Sequence, residues 1–122
     1  MKIFDCFMYF DEDVVLDVRL NFLDEFVDKF IIIESKYNHK GEERIPLFDI
    51  NKFIKFKDKI EYILTSKIPE KIETIKKDDT EDEVYRKSIY NACKRENLQR
   101  NHITKGIVNA EKDDWIIISD LD

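Results

Sequence analysis

Residues 30–35 read Phe30-Ile31-Ile32-Ile33-Glu34-Ser35, an unbroken run of aromatic and β-branched side chains that closes on two polar residues. A run without polar alternation is the pattern of a strand covered on both faces, as strands of parallel sheets are. Just upstream, Leu16, Leu20, Leu23 and Val27 recur at steps of four, three and four, which is one stripe of a 3.6-residue helical period. Asp11, Glu12 and Asp13 precede that stripe as N-cap and first-turn acids for a helix reaching about Phe26. Lys2 to Phe10 is apolar and aromatic apart from Asp5, a first strand. The opening third of the chain is therefore strand, helix, strand.

Working downstream, Lys36 to Pro46 is polar, and Gly41 and Pro46 mark it as a loop. A short helix is expected around Asp49 to Phe56, then a third strand over Ile60 to Leu64 that carries Glu61 in its middle. Lys67 to Asp79 is charged and has no period. Thr80, with Glu83 three residues on, forms a capping box that opens a long helix to about Lys105, stopped by Gly106. Asp113 and Asp114 lead into a fourth strand, Trp115 to Ile118, followed by Ser119-Asp120-Leu121-Asp122. Alternating strands and helices predict an α/β fold with a mostly parallel sheet and helices on both faces. No internal repeat or second domain is visible, so residues 1–122 are read as one unit.

Composition agrees with an ordered core: of 122 residues, 43% are hydrophobic and 12% aromatic, with two Gly and two Pro. Twenty-one Lys and Arg against 27 Asp and Glu leave a net charge of −6, the wrong sign for a chain that neutralises nucleic-acid phosphates. No run approaches the roughly 20 apolar residues of a membrane span, and Met1 leads straight into a strand-like segment without an h-region. A soluble, cytoplasmic protein is expected. Cys6 and Cys93 lack CxxC spacing and are expected to be buried free thiols.

In parallel α/β sheets the ligand lies beyond the carboxyl ends of the strands. That rule selects the residues after Phe10, Glu34-Ser35, the segment after Leu64, and Asp120 to Asp122. Asp120 and Asp122 bracket one residue, so in extended backbone their carboxylates project to the same side. Two hard oxygen donors there can hold Mg²⁺ or Mn²⁺ and leave positions open for a diphosphate. Bare solvated carboxylates would have the same spacing. On the long helix, Tyr85, Ile89, Ala92 and Cys93 lay down an apolar stripe that resumes at Ile103, with Glu96 and Arg100 interrupting it. Either the pair is a solvated i,i+4 contact or Arg100 points into the ligand crevice, where its planar fork suits a phosphate, with Asn101 beside it. Glu34 ends a buried strand, where a carboxylate can accept hydrogen bonds from a ribose or base. His39 and His102 have no metal-ligand spacing, and the glycine-rich phosphate loops and the G-x-S-x-G elbow are missing.

The segments Asp5-Cys6-Phe7, Phe10-Asp11-Glu12, Leu16-Asp17-Val18-Arg19-Leu20, Val27-Asp28-Lys29-Phe30, Ile33-Glu34-Ser35, Gln99-Arg100-Asn101 and Ile117-Ile118-Ser119-Asp120-Leu121-Asp122 stand in an order and spacing that resembles glycosyltransferase family 17. This is the family of β-1,4-mannosyl-glycoprotein β-1,4-N-acetylglucosaminyltransferases. The resemblance implies a GT-A-like, Rossmann-like fold, incomplete at its C-terminus, in which residues 1–122 form the N-terminal nucleotide-sugar-binding half of the domain. It further implies a UDP-N-acetylglucosamine donor and a glycan or polysaccharide acceptor. Asp120 and Asp122 become the metal pair, for Mn²⁺ or Mg²⁺, and Glu34, Arg100, Asn101 and Asp120 the donor-binding residues. The implied reaction is an inverting transfer, with the general base expected downstream of Asp122, so the 122-residue chain is expected to be inactive alone. Two readings compete: a haloacid dehalogenase-type phosphatase, whose strand also ends in D-x-D, and a non-catalytic nucleotide-sugar-binding module.

Overall fold

The computed structural model describes residues 1–122. Strand β1 (Ile3–Met8) leads to helix α1 (Asp13–Leu23) and strand β2 (Lys29–Ser35). A 3₁₀ segment, Ile50–Phe56, precedes strand β3 (Ile60–Thr65). Helix α2 (Glu81–Asn101) continues as a 3₁₀ turn over His102–Lys105, and strand β4 (Trp115–Ile118) follows. The four strands form one sheet in the order β3-β2-β1-β4, every pairing parallel. The α/β architecture is thus as the sequence predicts, and its sheet is parallel throughout.

Register assigns the faces. Phe7, Phe30 and Ile32 join Leu16, Leu20, Val27, Phe53, Phe56 and Leu121 in one apolar cluster under α1 and the 3₁₀ segment. Phe4, Cys6, Ile31 and Ile33 face the other way, toward Ile103, Ile107 and Ala110. Gly106 is required on that side: a Cβ there would come within 2.4 Å of the Ile31 side chain, so the turn after His102–Lys105 sits directly on β2. Glu61 is accommodated because Lys29, on the neighbouring strand, pairs with it at 3.2 Å.

Several expectations need correction. Helix α1 ends at Leu23, three residues short of Phe26, because the chain turns there to deliver Val27 into the core. Its acids do not cap it through side chains. Glu12 is the N-cap without a side-chain cap bond, and Asp13 instead accepts from the Tyr9 hydroxyl and from Lys52. The stripe Tyr85, Ile89 and Cys93 on α2 is exposed, and the helix buries Asn91 and Gln99 in its place. Asn91 accepts from the Glu73 amide and donates to the Glu73 carbonyl, so α2 is roofed by the segment 67–79 through polar contacts. Cys6 is a buried free thiol as expected, but Cys93 lies at the surface. The Thr80 and Glu83 capping box forms as read.

Strand β4 is exposed along its whole length despite the sequence Trp-Ile-Ile-Ile. It pairs with β1 on one side and leaves its other edge open. No helix is long and apolar enough to cross a membrane.

Candidate functional site

A cleft of about 570 Å³ opens beyond the carboxyl ends of β1, β2 and β4. Its position follows from topology: β2 and β3 extend the sheet to one side of β1 while β4 pairs on the other, and at such a reversal the loops part. The walls come from Tyr9 and Phe10 after β1, the loop 37–44, Glu96 and Gln99 of α2, and the tip Asp120 to Asp122. Each wall is tied down by named contacts.

The first tie is built on Asp5, the acid in an otherwise apolar strand. Asp5 is fully buried, and Arg19 of α1 meets both its carboxylate oxygens, at 2.6 and 2.8 Å. The same guanidinium donates to Ser119 Oγ at 2.7 Å, to the Asp120 carbonyl at 2.6 Å and to the Leu121 carbonyl at 3.0 Å, and it lies over the Phe7 ring. The second tie is built on Glu34. The Leu47 and Phe48 amides and the Tyr62 hydroxyl donate to its carboxylate, which is fully buried and forms an ion pair with Arg44 at 2.9 Å. Arg44 also donates to the carbonyls of Ser35 and Phe10 and stacks over the Phe10 ring, joining the ends of β1 and β2 to the loop. That loop is shaped by Asn38, whose side chain accepts from the amides of Lys40 and Glu42, and by Arg95, which donates to the His39 carbonyl. Gly41, at φ 85°, allows the turn.

Charge in the cleft is mostly negative: Glu12, Glu42, Glu96, Asp120 and Asp122 line it against Lys40 and Arg44. Burial first, and its bond to Asp13 second, push the Tyr9 phenol well above the ordinary value. Burial would raise the Asp13 carboxyl, but the hydrogen bonds from Tyr9 and Lys52 outweigh it and hold the group low. No buried side-chain polar atom is left without a partner.

Of the residues singled out from sequence, Asp120 and Asp122 line the cleft on either side of Leu121, whose own side chain is buried in the α1 cluster. Arg100 reaches Asp120 at 3.2 Å and Glu96 at 2.8 Å, so the i,i+4 pair exists and is joined to the tip. Asn101 is exposed at the end of α2 and off the cleft wall, and Glu34 lies behind that wall with its oxygens engaged. Sequence reading passed over Arg44, Asn38 and Arg95, which carry no periodic signal. A charge inside an apolar strand was a usable sign at Asp5, since a buried carboxylate demands a cation.

No three His, Cys, Asp or Glu side chains are gathered to hold a metal by themselves. Asp120 and Asp122 are the two carboxylates of the tip that could hold a cation, and Asp120 is paired with Arg100 at 3.2 Å.

An all-parallel sheet flanked by helices, with its crevice at the reversal of strand order, defines a doubly wound α/β protein. The chain belongs to glycosyltransferase family 17, whose family model it matches over residues 1–122. No curated protein and no solved structure matches it. Family membership favours a sugar transferase over the phosphatase reading of the same D-x-D.

Proposed function

We propose that the cleft binds the diphosphate of a nucleotide sugar, UDP-N-acetylglucosamine, through a divalent cation held by Asp120 and Asp122. The observation that carries this reading is the excess of carboxylates on the cleft wall. A diphosphate entering alone would meet like charge on nearly every side. Bound Mg²⁺ or Mn²⁺ supplies the counter-charge, and neutralises what builds on the departing diphosphate. Arg100, half-exposed beside Asp120, is the proposed second contact to the phosphate oxygens. Glu34 acts from behind by fixing Arg44 and the loop 37–44, which forms the wall facing Asp120 to Asp122.

The proposed reaction is inverting: an acceptor hydroxyl of a glycan or polysaccharide attacks the anomeric carbon and passes its proton to a general base or to water, while the bond from that carbon to the diphosphate breaks and UDP leaves. Both cysteines are unpaired, which suits the reducing cytoplasm proposed for the chain. Titration calorimetry with UDP-N-acetylglucosamine tests the donor site. Binding is expected with Mn²⁺ and not without it, and is expected to vanish in Asp120→Ala; metal-independent binding, or none, refutes the proposal.

A further inference from the structure

We infer that Arg19 is a positioning residue for the cation site, bending the tip Ser119 to Asp122 so that both aspartates face the cleft; this rests on the metal reading above. The guanidinium has five N–H groups, and five acceptors receive them: two oxygens of Asp5, Ser119 Oγ, and the carbonyls of Asp120 and Leu121. None remains for a ligand, which separates Arg19 from Arg100. In an extended strand consecutive carbonyls point to opposite sides, yet those of Asp120 and Leu121 both turn to one guanidinium. Pairing with β1 ends with the Ser119 amide on the Cys6 carbonyl, and beyond it the Asp120 and Leu121 carbonyls are held by Arg19. Arg19, through the two carbonyls, and burial of Leu121 therefore fix the path of the tip between the two aspartates that line the cleft.

The anchor beneath Arg19 is rigid. Asp5 is fully buried in the strand that pairs with both β2 and β4, and the Phe7 ring backs the guanidinium at 4.5 Å. Helix α1, which touches no ligand in this reading, thereby sets the geometry of a site at the opposite end of the chain.

Removing Arg19 alone would strand a buried carboxylate and confuse positioning with folding. Replacing both partners by apolar residues, Asp5→Leu with Arg19→Met, removes the tie without leaving that charge, an exchange that is often neutral or stabilising. Mn²⁺ binding is read by the loss of the free-ion electron paramagnetic resonance signal, and folding by urea denaturation. The double variant is expected to keep its urea midpoint while Mn²⁺ affinity falls tenfold or more, roughly the effect of losing a group that orients a metal ligand. Wild-type affinity in the folded double variant overturns the inference and leaves the metal site standing; absence of Mn²⁺ binding in the wild type overturns both. Should the double variant not fold, Ser119→Ala removes one of the five bonds at an exposed residue. It is expected to weaken Mn²⁺ severalfold at unchanged stability, and unchanged affinity there is equally fatal.

Discussion

The two faces of the sheet are built from different materials. Under α1 the contact is dry: Leu16 and Leu20 meet Phe7, Phe30 and Ile32, and Phe53, Phe56 and Leu121 complete the cluster. Under α2 the apolar contact comes from Ile103 and the turn beyond it, while the helix proper contributes no side chain to either cluster. It is held by Asn91 to the Glu73 backbone, by Gln99 to the Ile33 carbonyl, and by His102, at 3.1 Å from Thr65 Oγ. Apolar packing is non-directional and large, so the α1 face supplies stability. Hydrogen bonds are directional and individually small, so the α2 face fixes where Glu96, Gln99 and Arg100 stand relative to the cleft.

That contrast is sharpest in the response to truncation. Leu20→Ala removes a fully buried side chain between helix and strands and is expected to cost about 2–5 kcal/mol in urea unfolding. A cost below about 1 kcal/mol would mean that the α1 face is not the core. Asn91→Ala leaves the Glu73 amide and carbonyl without their partner, and about 1–2 kcal/mol is expected. Ile89→Ala, two residues away on the exposed stripe, should stay within about 0.5 kcal/mol. If the order of those two reversed, α2 would be an ordinary apolar helix and the comparison would collapse.

The smallest effect is on pH. The side-chain hydrogen bond from Lys87, followed by the Lys76 amide, lowers the Asp79 carboxyl from 3.8 to about 2. A depressed folded-state value contributes stability above the unfolded value, so this contribution is complete above about pH 4 and fades as pH falls toward 2. Thermal melts of Asp79→Asn are expected to lose that portion of the acid-side decline. An unaltered acid limb would remove Asp79 from the polar framework of α2.

Much of the architecture was legible because it is periodic. The run Phe30 to Ile33 and the spacing of Leu16, Leu20 and Val27 report burial directly, and Thr80 with Glu83 reports a helix start. What failed to show was burial achieved by polar groups. Tyr85 and Ile89 look like a core stripe to any periodicity argument, but the sheet beneath offers α2 the Ile33 carbonyl, and Gln99 answers it. At the cleft, Asp120 and Asp122 could be found from their place after a strand. The buried acids Asp5 and Glu34 called for cations, but which arginines would answer could not be read, because the other partners of Arg19 and Arg44 include main-chain carbonyls scattered from Phe10 to Leu121.

The open edge of β4 bears on how the molecule behaves in a tube. Trp115, Ile116, Ile117 and Ile118 offer unsatisfied backbone and greasy side chains together, a template onto which other strands can add. Mutual repulsion from the net charge of −6 is the force that opposes such stacking, and it disappears near pH 5.0. Concentrated samples should therefore cloud on mild acidification or added salt while each molecule is still folded, and a lysine at Ile117 should keep them clear.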